Sequence, residues 1–334
     1  INTLLELFSS HEEMAESMND RPILGMFKAW LGFAYYMNGK PIKGLKHLEQ
    51  ALEIAKEVDN PRLRAYACAW LAWCNWDIGS ADKAVAFGEQ GYELSRQLSP
   101  HQYLDFKPIA AVGNQYVFEG RWKELKSIGT RLLEKGEKTS NPRCFFTGQQ
   151  YLGFALFLLD KPDQAMENFQ KAIEGSADVP FYHYWATTIL AMSHTMAGQM
   201  EKAGRLMAEV VEFCSAGGIR ALGDYALVNY GIALFAQGRM NDGLTILREV
   251  ADAAAKEQRK RLLLVAEFSM GNVFSQLAAP TEPVSLFTMM KNIGFLMKNL
   301  PGSAKKAEKH FHKAMKLAEE TKSYLYGGCL LYTS

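Results

Sequence analysis

Apolar residues along this chain recur at helical spacing in successive blocks broken by single glycines, and no stretch shows the period-two alternation of strands. The blocks are self-similar. Each pairs a helix with a Leu-Gly or Leu-Ala step in its middle to a second helix carrying Ala or Gly at fixed offsets. The step falls at Leu31-Gly32, Leu71-Ala72, Val112-Gly113, Leu152-Gly153, Leu190-Ala191 and Tyr230-Gly231, a nearly constant interval from copy to copy. Small residues at these positions let paired helices approach closely. Gly39, Gly79, Gly120, Gly198 and Gly238 fall where the first helix must stop, a position that favours Gly. Pro41 and Pro162 fall at the start of the next helix, where a missing N–H costs little. The pattern predicts an all-α, right-handed α-solenoid of helix–turn–helix repeats of about 40 residues.

The recurring Leu-Gly/Ala, Tyr, Gly, Ala, Phe/Leu, Ala pattern resembles the tetratricopeptide repeat (TPR), stretched here beyond its usual length, over residues 21–322. A seventh copy keeps Met270-Gly271 and Phe274 in its first helix. Its second helix, with Ala307, Phe311 and Ala314, arrives late, behind an insertion. The inserted stretch, 279–302, holds Pro280, Pro283 and Pro301 around an amphipathic segment with Leu286, Met289, Met290, Ile293, Phe295, Leu296 and Leu300. One extra helix packed into the solenoid is expected there. With Ala304-Lys-Lys-Ala-Glu-Lys after it, and Asn19-Asp20-Arg21 before the first full unit, this insert resembles the C-terminal TPR region of bacterial multidomain class III adenylate/guanylate cyclases. In such proteins a cyclase domain and an AAA-type ATPase domain precede the repeats. The expected organisation is the second helix of a truncated repeat over 1–20, repeats over 21–278, the insert over 279–302, the last helix of the seventh repeat over 303–322, and a truncated repeat over 323–334. Residues 329–334 resemble a translated sequencing-adapter tail, which implies an artefactual end. The resemblance implies a piece of a longer chain.

Composition narrows the function. The 334 residues carry a formal net charge of +1 and are 48% hydrophobic, which gives no field towards nucleic acid and predicts a folded, cytoplasmic chain without a membrane span. The five cysteines lack CxxC spacing and sit among apolar neighbours, as packing residues do. The seven histidines form no ligand pair: His310 and His312 are two apart, on different sides of a helix, and His194 reads as a packed histidine. No GxxxxGK[ST] phosphate loop occurs, and nothing offers the strands that carry cyclase aspartates. No catalytic residue, metal ligand or cofactor is expected, and the stretch is read as non-catalytic. The basic runs 256–261 and 305–313 read as solvated faces interleaved with acids.

The TPR resemblance implies that residues two and five after the Leu of each Leu-Gly step face the concave side. These nominate Phe33, Tyr36, Trp73, Trp76, Phe154, Phe157 and Phe235 as a groove-binding set, with packing between repeats as the competing role. The position that carries Asn or Lys in chaperone-tail clamps is mostly apolar, which disfavours an acidic C-terminal peptide. The expected role is an interaction or regulatory module that binds a protein or peptide, or relays a signal within a larger cyclase/ATPase-type protein. The alternative is a small-molecule inducer sensor of a multidomain ATP-dependent transcription regulator. An open aromatic groove points to the first, and a discrete enclosed pocket with convergent polar groups to the second.

Overall fold

A computed structural model describes residues 1–98, 101, 103–280 and 286–326. All regular structure among them is helical. Seven antiparallel helix pairs follow one another: α3 (Arg21–Met37) with α4 (Pro41–Glu57), α5 (Pro61–Asp77) with α6 (Ala81–Arg96), and α7 (Lys107–Glu119) with α8 (Trp122–Thr139). Then come α9 (Pro142–Leu158) with α10 (Pro162–Glu174), α11 (Pro180–Met196) with α12 (Met200–Gly217), and α13 (Arg220–Ala236) with α14 (Met240–Lys256). The seventh joins α15 (Lys260–Ala278) to α18 (Ser303–Glu320) across the insert. Each helix packs mainly on its chain neighbours, the signature of a TPR-like solenoid.

Local chemistry sets the helix ends. Asp20 and Asn60 accept from the N–H groups of Ile23 and Leu63, and Pro22 and Pro61 occupy the first turns behind them. Gly39 (φ 77°) and Gly120 (φ 73°) take the left-handed conformation that stops the first helix of a pair, where Cβ would be strained. Within a pair the small residues are needed. A Cβ on Gly32 would stand 2.5 Å from Leu48 Cγ and 3.0 Å from the Gly44 carbonyl oxygen. An Ala there forces α3 and α4 apart.

Two amphipathic stretches expected as single helices are broken. The N-terminal stretch divides at His11 into α1 (Asn2–Ser10) and α2 (Glu12–Ser17). Ser10 Oγ and His11 Nδ1 both engage the Leu7 carbonyl, competing with the backbone for it. The buried ammonium of Lys28 then ties α2 to α3 through Glu12 (2.7 Å) and Glu16. The insert divides at Asn292 into α16 (Leu286–Lys291) and α17 (Ile293–Asn299). The Asn292 amide donates to the Gly238 carbonyl at 2.9 Å and to Thr288 O, turning the chain there. The insert packs less than expected: Phe295 is buried against Phe235, whereas Leu286, Phe287, Met290, Ile293 and Met297 are exposed. Pro283 and residues 329–334 lie outside the described residues.

The array curls until its ends meet. Inner helices α13 and α15 of the last two pairs contact α3 and α5 of the first two. Arg259 spans this seam, with its Nε donating to Asp77 Oδ2 at 2.7 Å and its Nη1 bound to Asp224. Tyr225 adds an O–H bond to Asp77 at 3.1 Å. Arg261 donates to Trp76 O (2.9 Å), Gln115 Oε1 (2.6 Å), Ser323 Oγ (2.9 Å) and Thr321 O (3.1 Å). Both arginines are fully buried, so the run 256–261 is only in part the solvated face its composition suggested: Lys256, Gln258 and Lys260 are exposed. Arg259 and Arg261 are the clasp of a closed ring. The reason is tertiary: partners for both side chains lie far back in the sequence, on the second helix pair, or at the chain's far end.

Candidate functional site

Closure converts the concave face into a cavity of about 500 Å³, within the range of small-molecule sites. The inner helices of all seven pairs contribute to its wall, from Tyr36 on α3 to Asn272 on α15. Six of the seven nominated aromatics line it: Tyr36, Trp73, Trp76, Phe154, Phe157 and Phe235. Phe33 does not. It packs against Trp70 at 4.6 Å and Trp30 at 5.5 Å, in the role of repeat-to-repeat filler. Trp185 and Phe181 join the wall unforeseen, with Trp73 and Trp185 edge-to-face at 5.2 Å.

A few polar groups interrupt this wall. Asn114 Oδ1 accepts from Tyr151 O–H at 3.3 Å, and Asn229 returns its amide to the Tyr225 carbonyl. Gln150 Oε1 and Trp76 Nε1 are buried without a partner among the described residues. Among the described residues no Asp or Glu lines the cavity, and one charged side chain does: Lys107, at the first turn of α7. It is 2% exposed, with its Nζ 4.5 Å from the centre of the Trp70 ring, 4.3 Å from Trp73 and 5.3 Å from Trp185. Burial alone pulls its pKa down to about 7. Arg259 behaves differently: burial opposes its charge, but Asp77 and Asp224 outweigh that and hold its pKa above the ordinary value. Burial lowers Arg261 to about 10.

Spacing of the aromatics does not point to Lys107, although the register carries a signal for it. Five residues before each Leu-Gly step stand Met26, Tyr66, Thr147, Trp185, Tyr225 and Val265, so Lys107 is the lone charge at that position. Other chemistry is sparse. Cys68, Cys74, Cys144 and Cys214 are buried, and burial raises each thiol pKa, to about 11 for Cys68. His194 is partly buried, with its pKa lowered by desolvation. Among the described residues no three His, Cys, Asp or Glu are placed to hold a metal ion, and no helix is long and apolar enough to cross a membrane.

A closed array of helix pairs around a central cavity is the class the geometry defines. Residues 25–97 match the tetratricopeptide repeat family model. No curated protein matches the chain. Similar solved structures include a Signal Transduction ATPase with Numerous Domains (STAND) protein with a tetratricopeptide repeat sensor from Pyrococcus horikoshii. It has 11% identity and a TM-score of 0.49 over 96% of this chain and 55% of that one. A Rap protein complexed with Competence and Sporulation Factor has 11% identity and a TM-score of 0.40 over 98% of this chain and 83% of that one. The TPR-like repeats of a Podospora anserina putative kinesin light chain have 17% identity and a TM-score of 0.30 over 72% and 100%. Likenesses this distant leave the site to be read from its own geometry.

Proposed function

We propose that this stretch is a non-catalytic regulatory module that senses a small amphipathic molecule held inside the ring. The observation that carries the reading is the cavity inside the ring, with an aromatic wall and a few polar groups, where an uncurled array would present a groove. Tyr36, Trp73, Trp76, Phe154, Phe157 and Phe235 then serve as ligand-contacting wall residues. A ligand that favours the closed ring over an open one shifts that equilibrium by its difference in affinity for the two states. The resemblance of the insert to cyclase-associated TPR regions supports a place in a larger cyclase/ATPase-type signalling protein, with ring closure as the relayed state. The exposed apolar side of α16 and α17 favours a second role, contact with a protein partner or another domain of the same parent chain.

Titration with 1-dodecanol, followed by tryptophan emission and by melting temperature, tests the cavity reading. Saturable one-to-one binding with a raised Tm is expected, because Trp73, Trp76 and Trp185 face the ligand. Unchanged emission and Tm up to the solubility limit count against it.

A further inference from the structure

We propose that the cavity takes an amphipathic carboxylate, with the headgroup paired to Lys107 and the apolar body lying among Trp73, Trp185 and Phe154. This deepens the sensor reading above and rests on it.

Four cationic side chains are buried among the described residues: Lys28, Lys107, Arg259 and Arg261. Three are paired inside the protein, although Arg259 keeps one buried nitrogen, Nη2, without a partner among the described residues. Lys28 holds two glutamates, Arg259 two aspartates, and Arg261 four oxygen acceptors. Lys107 has neither a carboxylate nor a hydrogen-bond acceptor for its Nζ among the described residues. Ring faces surround it instead, at 4.3 to 6.0 Å. Ring faces recover part of an ammonium's lost hydration but accept none of its three N–H bonds in the plane of an oxygen lone pair. A buried cation left in this state is costly, and a bound anion removes the cost.

The same wall discriminates among ligands. With no Asp or Glu among the described residues that line the cavity, an ammonium ligand meets like charge and no counter-ion there. A sugar finds too few polar partners along a wall this apolar. One cation at one place fits one negative charge on an otherwise apolar body.

The test compares dodecanoate with 1-dodecanol, which share a chain and differ in the head, by calorimetry on the full 334-residue chain at about pH 6.5, where Lys107 and the fatty acid are both largely charged. A charge-assisted pair predicts that dodecanoate binds roughly ten- to a hundredfold more tightly than the alcohol. Lys107→Met is expected to erase that preference, so that dodecanoate and 1-dodecanol bind alike, with saturable binding of the alcohol showing that the cavity persists. Lys107→Gln gives the same reading should the Met variant fail to fold. Equal affinity of the natural protein for acid and alcohol overturns the proposal and leaves the cavity reading standing. An acid preference that survives both substitutions overturns it too. Binding of neither probe overturns the cavity reading, and this inference with it.

Discussion

Two cations on the inner side of the ring, Arg259 and Lys107, are buried to the same degree and treated in opposite ways. Arg259 sits between Asp77 and Asp224, and its charge is held in place across the seam. Lys107 faces aromatic rings and the cavity, and its charge is weakened by burial alone. Arg259 therefore belongs to the structure: its partners lie on α5 and α13, and joining them closes the ring. Lys107 meets ring faces and no carboxylate among the described residues. A buried charge paired with carboxylates holds a fold together, whereas one without them marks a place where a ligand supplies what is missing.

Substitutions put this contrast at risk in order of size. Arg259→Met leaves Asp77 buried without a cation and Asp224 with Arg220 alone, and is expected to cost about 3–5 kcal/mol, measured by urea unfolding. Small-angle scattering of that variant should show a larger radius as the seam opens. Arg261→Met takes the donor from Gln115 Oε1 and one partner each from Thr321 O and Ser323 Oγ, and is expected to cost about 2–3 kcal/mol by the same measurement. Lys107→Met goes the other way, with a stability gain of about 1–2 kcal/mol and a higher Tm, because it removes a desolvated charge and keeps an apolar side chain of similar length. A loss of stability there would mean that Lys107 is as structural as Arg259.

The pH dependence of that gain follows from the lowered pKa. Between about pH 7 and 10.5 the unfolded chain keeps the Lys107 proton that the folded chain has released, so folding of the natural protein gains as pH rises through this window. The advantage of Lys107→Met should be constant below about pH 7 and shrink towards pH 10, since both proteins share every other group. A gap independent of pH would contradict a weakened ammonium. The smallest effect belongs to the exposed seam pair Lys322–Asp82, 43% and 84% exposed, where Lys322→Ala should change stability by less than about 0.5 kcal/mol.

Much of the architecture can be read from local pattern. Leu31-Gly32 and Gly44 announce the close approach of α3 to α4, and Gly39 and Gly120 mark where helices stop, because these demands fall on neighbouring residues. Six nominated aromatics reach the cavity wall because the TPR resemblance says which side of a helix faces inward. Phe33 fails because its neighbours Trp30 and Trp70 are large enough to engage it, a matter of volume that spacing does not express. The run 256–261 misleads because charge in a short window reads as solvation unless its distant partners are known. The breaks at His11 and Asn292 escape because hydrophobic period does not register a side chain bonding back to its own helix.

By itself the sequence determined an all-helical chain built from close-packed pairs with an aromatic inner side, since helix caps, small residues and period act over a few residues. Only the tertiary structure decided that the array closes, that Arg259 and Arg261 are its clasp, and that Lys107 faces the cavity with rings alone around it. The reason is that curvature accumulates from small rotations between successive pairs. Whether the first pair meets the seventh depends on the sum, which no single repeat contains.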